Sequence, residues 1–191
     1  MMKDNKFQYV YEGKPDKQEV KTFDTYILDK LLKETKEFYS KFVHNNSNLS
    51  VIDFLDQANT YLDEERERVK NYYPIADFRD QVWKTLTKEL IEKPGNDLIS
   101  RPGDGLFNML KDDNKKYSKL LYGFITEIKF DLSKFIAEIV EYIKFKIKEV
   151  NEKEVKDAGE QSSHLIAELI KFRSHLEDLV RDCFGNNAEI K

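Results

Sequence analysis

The side chains of this chain best suited to metal binding or nucleophilic catalysis are three histidines and one cysteine. His164 and His175 stand eleven residues apart. On one helix that spacing returns to nearly the same face but about 16 Å further along the axis, too far for a shared metal ion. His44 opens the polar stretch HNNSN at 44–48, where an exposed loop imidazole is expected. Cys183 falls on an apolar helical stripe, which suits a buried structural thiol better than a nucleophile. The stretch GDGLFN at 103–108 approaches a dinucleotide-binding fingerprint, but Asn108 occupies its third glycine position and no strand precedes it. Gly103 and Gly105 are therefore expected to serve backbone geometry at a turn and helix entry. In LDEERERVK, Glu64 and Arg68 have the i, i+4 spacing of a solvated helix face rather than of paired catalytic carboxylates. The expectation is a non-enzyme with no catalytic, metal-ligating or cofactor-binding residue and no cofactor.

Composition points the same way. The 191 residues carry 32 basic and 36 acidic side chains, for a net charge of −4, and 40% are hydrophobic. Both signs are scattered along the chain, and arginine is scarce among the cations, so no nucleic-acid partner is expected. The opening MMKDNKFQYV has no apolar run behind its charges, and no stretch is long and apolar enough for a membrane span. A single cysteine cannot form an internal disulfide, which favours the cytoplasm or nucleus. Only 7 Gly and 4 Pro occur, clustered at a few places. The chain is read as all-α, an elongated multi-helix bundle.

Residues 1–17 contain Gly13 and Pro15 and no sustained period, and are expected to form a flexible arm ahead of a helical domain over 18–191. Phe23, Ile27, Leu31, Phe38 and Phe42 outline the apolar face of a first helix. Ser50 with Asp53 marks an N-cap, and Leu55, Ala58, Leu62, Val69 and Tyr72 carry the next helix to Pro74. Ile75, Phe78, Val82, Leu86 and Leu90 predict a third helix ending at the breaker KPGN, 93–96. Short turns are expected through DLISRPGDGLFNML. A helix then carries Tyr117, Leu120, Leu121, Phe124 and Ile128, with a joint near Phe130 and Asp131. Ile136, Ile139, Val140, Ile143, Ile147 and Val150 make the next apolar stripe, followed by a charged linker, 151–160. Leu165, Leu169, Phe172, Leu176, Leu179 and Cys183 form the last, with Gly185 as its C-cap.

Four segments taken together, TYILDKLLKETKEFYSKF, LDEERERVKNYY, GDGLFNMLKDDNKKYSKLLYGF and LIKFRSHLEDLVRDCFGNN, resemble the cullin family. Leu62, Glu64, Glu65, Arg66, Arg68 and Tyr72 match one helix pattern; Gly105, Leu106, Leu110, Asp112, Asp113, Leu120 and Tyr122 match the next in order. Cys183, Phe184, Asn186 and Asn187 match the closing motif, from which Gly185 departs. The likeness runs over about residues 22–187 and is best to the third cullin repeat of the amino-terminal helical stalk. It implies a non-catalytic scaffold segment of a cullin-RING ubiquitin ligase, spacing a substrate adaptor from the RING end. The implied partners, a RING-box protein and substrate adaptors, bind parts of a cullin outside this segment. No residue here inherits an adaptor contact or the modifier-accepting lysine. The alternative is a helical tethering module outside ubiquitin ligation, since a helical rod does not by itself fix a function.

Overall fold

The computed structural model describes residues 23–72, 76–156 and 161–190. The expected arm over 1–17, Pro74, Ile75 and the end of the expected linker lie outside them. The described residues are helical, with no strand. In chain order come α1 (Phe23–Asn45), α2 (Val51–Tyr72), α3 (Ala76–Thr87), α4 (Lys93–Ser100), α5 (Leu106–Lys111), α6 (Lys115–Glu127), α7 (Ser133–Lys156) and α8 (Gln161–Cys183); all but α4 and α5 lie where the sequence period placed a helix.

Local chemistry sets most of the boundaries. At the start of α2, the Ser50 hydroxyl accepts from the Asp53 N–H at 3.1 Å and donates to the Asp53 carboxylate at 2.6 Å. The first of these satisfies a backbone N–H that the helix start leaves without a partner. The joint near Phe130 lies where expected: Lys129 adopts φ +53°. Asp131 then caps α7, accepting from the Ser133 N–H at 2.9 Å and from its hydroxyl at 2.6 Å. Those two bonds hold the Asp131 carboxyl below its ordinary range. Gly185 closes α8 at φ +56°, and the Asn186 N–H reaches back to the Val180 carbonyl at 2.9 Å.

Two expectations fail. The KPGN breaker does not break: the backbone widens into a π-helical turn over Lys88–Glu92 and continues directly into α4, with Pro94 in its first turn. A first-turn proline loses no hydrogen bond the helix needs, and the Lys93 N–H bonds five residues back to the Lys88 carbonyl. The expected linker from Asn151 also begins as helix, since α7 continues to Lys156.

The core joins all eight helices. Leu55 and Leu62 of α2, Leu86 of α3, Leu90 and Ile91 of the π turn, Leu98 and Ile99 of α4, and Leu106 of α5 are all at most 1% exposed. Phe135 of α7 stacks edge-on against Phe184 at 5.2 Å and tilts against Tyr122 of α6 at 5.6 Å. Packing passes along the series: α1 lies on α3 and the π turn, α2 on α3 and α6, α4 and α5 on α7, and α6 and α7 on α8. The first helix and the last lie at opposite ends of that series, with no substantial contact between them.

Candidate protein-interaction surface

The candidate chemical groups are dispersed. His44 is exposed in the last turn of α1 rather than in a loop. His175 sits on α8 with its Nε2 3.8 Å from the Asp113 carboxylate. The side chain of His164 lies outside the described residues. Cys183 is buried, its Sγ 3.7 Å from the Lys115 carbonyl. Burial, the larger effect, pushes its thiol up, with the Lys115 ammonium pulling the other way. Because the raised group is stabilising while protonated, that contribution fades as pH rises past the ordinary thiol value. No group of three or more His, Cys, Asp or Glu side chains among the described residues is placed to hold a metal ion. No described helix is long and apolar enough to cross a membrane.

The GDG stretch proves to be a clasp. Arg101, paired with Asp97 one turn back, donates from Nη1 to the Leu49 carbonyl at 2.8 Å. Asp104 accepts from the Val51 N–H at 2.7 Å, capping α2 from a loop 53 residues further along the chain. Gly105 lies so close to Arg101 and Ile99 that an added Cβ would come within 2.8 Å of their backbone atoms. Here glycine is required by proximity.

The charged run of α2 is also more structural than its pattern suggested. Arg68 pairs with Glu65, at 2.6 Å, and not with Glu64. Glu65 is buried and also accepts a long bond of 3.4 Å from the Tyr39 hydroxyl of α1. Burial, with the Glu65 charge second, pushes the Tyr39 hydroxyl far above its ordinary value. Arg66 forks onto both carboxylate oxygens of Glu127 at 3.0 Å, bridging α2 to α6, and stacks over Trp83 of α3. A residue pair 61 positions apart leaves no local signal in the sequence. Between these helices a shallow groove runs past Asp56, Asn59, Lys119 and Gly123, closed at one end by Arg66 with Glu127 and at the other by Lys116 with Asp56.

What distinguishes the surface is where apolar groups remain uncovered. The large hydrophobic side chains exposed among the described residues are Tyr26, Ile27 and Phe38 on α1, Val140 and Ile147 on α7, and Ile166 and Ile170 on α8. None lies on α2 to α6. This corrects two expected core faces. In α1 the buried positions are Leu28, Thr35, Tyr39 and Phe42, so Ile27 and Phe38 stand on the shoulder of the stripe. In α7 they are Phe135, Ile139 and Tyr142, and the stripe through Val140 and Ile147 lies about a quarter-turn away. Along α7 the packed interior reaches Ile143, with Phe145 stacking on Phe107 just beyond it; along α8 it starts at Phe172, which stacks on Tyr142. Among the described residues, an apolar surface left on the first helix and the last two is the pattern of a repeat unit that packs against neighbours at both ends.

Comparison with known proteins agrees with that pattern. The Cullin alpha solenoid domain matches residues 5–191. Cullin-5 of Dictyostelium discoideum is 24% identical over 186 residues, covering 95% of this chain and 23% of that protein. Cullin-3 of Schizosaccharomyces pombe is 23% identical over 133 residues, covering 68% of this chain and 17% of that protein. The chain thus spans less than a quarter of the length of these curated relatives.

Proposed function

This chain belongs to the cullin family, and from that membership we propose that it is a rigid segment of the helical stalk of a cullin-RING ubiquitin ligase. It holds a substrate adaptor at a set distance and direction from the RING end. Its contribution is geometric: a stiff spacer raises the effective concentration of bound substrate at the ubiquitin carrier without a group of its own touching the reaction. The partners are a RING-box protein and substrate adaptors, bound through other parts of a cullin, and the setting is the cytoplasm or nucleus.

The observation that carries this reading is the confinement of exposed large hydrophobics to the two ends of the helical series. A freestanding binding module would display one such patch over an otherwise polar surface; a stalk segment needs two, with a closed middle. The middle is closed here by the Arg101–Asp104 clasp and the Arg66–Glu127 bridge, which join residues 52 to 61 positions apart. Affinity purification of the tagged protein from its own cells, read by mass spectrometry, tests the assignment. Recovery of a RING-box protein with substrate adaptors is the expected result. Their absence alongside other stable partners would overturn it in favour of a tethering module.

A further inference from the structure

We propose that the π-helical turn over Lys88–Glu92 is the angular joint of this chain: a one-residue correction of helix phase, pinned by Pro94, that fixes how the α1 end is turned relative to the α7 end. The continuous helical stretch from Ala76 to Ser100 links those ends. Its first part, α3 with the π turn, packs on α1, and its last part, α4, packs on α7. Val82 and Leu86 of α3, Leu90 and Ile91 of the π turn, and Leu98 and Ile99 of α4 are all at most 1% exposed. Successive residues of an α-helix stand about 100° apart, so a regular α-helix through this stretch would spread those six side chains over an arc of about 260°. It would also put the exposed Lys93 and Ser100 on the same side as Val82 and Leu86. Passing over one residue at the wide turn sets everything beyond it back by one position. The six buried side chains then gather within about 180°, and Lys84, Lys88, Lys93, Asn96 and Ser100, all exposed, fall together on the opposite side.

The residue passed over is Glu89. It is the charged member of three consecutive buried positions, Glu89, Leu90 and Ile91, and is only 3% exposed, with its carboxylate paired to Lys93 one turn on. Pro94 explains why the wide turn stays where it is. In its ladder the Lys93 N–H bonds to the Lys88 carbonyl five residues back. The next donor would be residue 94, and proline has no N–H to give, so the turn cannot move into α4. Nor can it relax to a regular helix in place, because the Pro94 ring would then collide with the Leu90 carbonyl four residues back. Beyond the proline, Gly95 lies against the Phe130 ring, where an added Cβ would stand 3.5 Å from Cζ. That contact holds the phase of α4 against the chain that leads into α7.

This inference concerns the shape of the chain and fails separately from the stalk reading, which the recovered partners decide. Thermal melts of deletion variants test the phase correction. Deleting Glu89 alone should lower the melting midpoint by about 5–10 °C, because the regular helix that closes over the gap places Pro94 in its interior. Deleting Glu89 together with Pro94→Ala should return the midpoint to within about 2 °C of the unaltered chain, or above it. Deleting the exposed Asn96 beyond the turn, again with Pro94→Ala, should bring no such recovery, since Leu98 and Ile99 then rotate about 100° out of the core. Pro94→Ala alone tests the pin. It should leave helicity by circular dichroism unchanged while broadening the distance distribution between spin labels at Lys33→Cys on α1 and Arg173→Cys on α8, in a Cys183→Ala background. A Glu89 deletion with Pro94→Ala that is no more stable than the corresponding Asn96 deletion overturns the phase correction. A Glu89 deletion tolerated without Pro94→Ala, or a distance distribution that stays as narrow after Pro94→Ala as before it, overturns the pin.

Discussion

Replacing Phe135 by alanine is expected to lower the melting temperature by about 6–20 °C. The ring is fully buried at the meeting point of α6, α7 and the chain's closing turn, touching Tyr122 and Phe184. Truncating a buried phenylalanine costs about 3–5 kcal/mol, through lost transfer energy and the cavity left behind. In a chain of this length each kcal/mol moves the midpoint by about 2–4 °C. The surroundings cannot easily collapse into the gap, because Tyr122 is itself held by a 3.0 Å bond to its hydroxyl from Asn187. Leu176→Ala on α8 serves as the reference: that side chain is only half-buried, so its loss should cost clearly less. Thermal melts followed by circular dichroism decide the matter. A shift below about 2 °C for Phe135→Ala would mean that the aromatic cluster is not packed as described.

The second large effect belongs to Gly105. An alanine Cβ there would meet the Arg101 carbonyl oxygen at 2.7 Å and the Arg101 nitrogen and Ile99 oxygen at 2.8 Å. These are backbone atoms with no freedom to swing aside, so the loop must move. Moving it pulls Asp104 from the Val51 N–H and Arg101 from the Leu49 carbonyl. Overpacking costs about 1–3 kcal/mol and loss of a helix cap about 0.5–2, so Gly105→Ala should lose about 2–4 kcal/mol. Gly123→Ala is the opposite case, because nothing lies within 4 Å of its added Cβ in the middle of α6. There alanine's higher helix propensity should stabilise by up to about 1 kcal/mol. Denaturant titration of both variants gives the order; equal stabilities would remove the clasp from the account.

The contrast between these two glycines shows what was legible in the sequence. Period and caps located the helices, because each boundary depends on neighbours within four residues: Ser50 with Asp53, Asp131 with Ser133, Gly185 after Cys183. The KPGN stretch misled because the rule that proline stops a helix applies to its interior. Pro94 occupies a first turn prepared by the π-helical turn before it. The clasp and the Arg66–Glu127 bridge were invisible, since each joins residues more than 50 positions apart. The stripes of α1 and α7 were found, but not which part of each faces inward. A helix packed on one flank and bare on the adjoining one shows a broad apolar arc, and only tertiary contacts divide it. That undivided arc was itself the trace of the interaction surface: Ile27 and Phe38, Val140 and Ile147 are apolar in excess of what this chain's own interior uses. The family likeness needed no such division, because its motifs lie in the clasp, the α2 charge run and the closing Cys183–Phe184 turn, where identity as well as polarity is constrained.

The central claim, that this is a stiff spacer, is tested most directly by the distance distribution between its two end helices. Spin labels at Lys33→Cys on α1 and Arg173→Cys on α8, both highly exposed positions, with Cys183→Ala to leave no third thiol and excess unlabelled chain to suppress intermolecular pairs, report it by pulsed electron spin resonance. The account predicts a single narrow peak that stays unchanged from dilute buffer to molecular crowding. A broad or multiple distribution would contradict it, because helices that move freely against one another cannot hold a substrate at a fixed place.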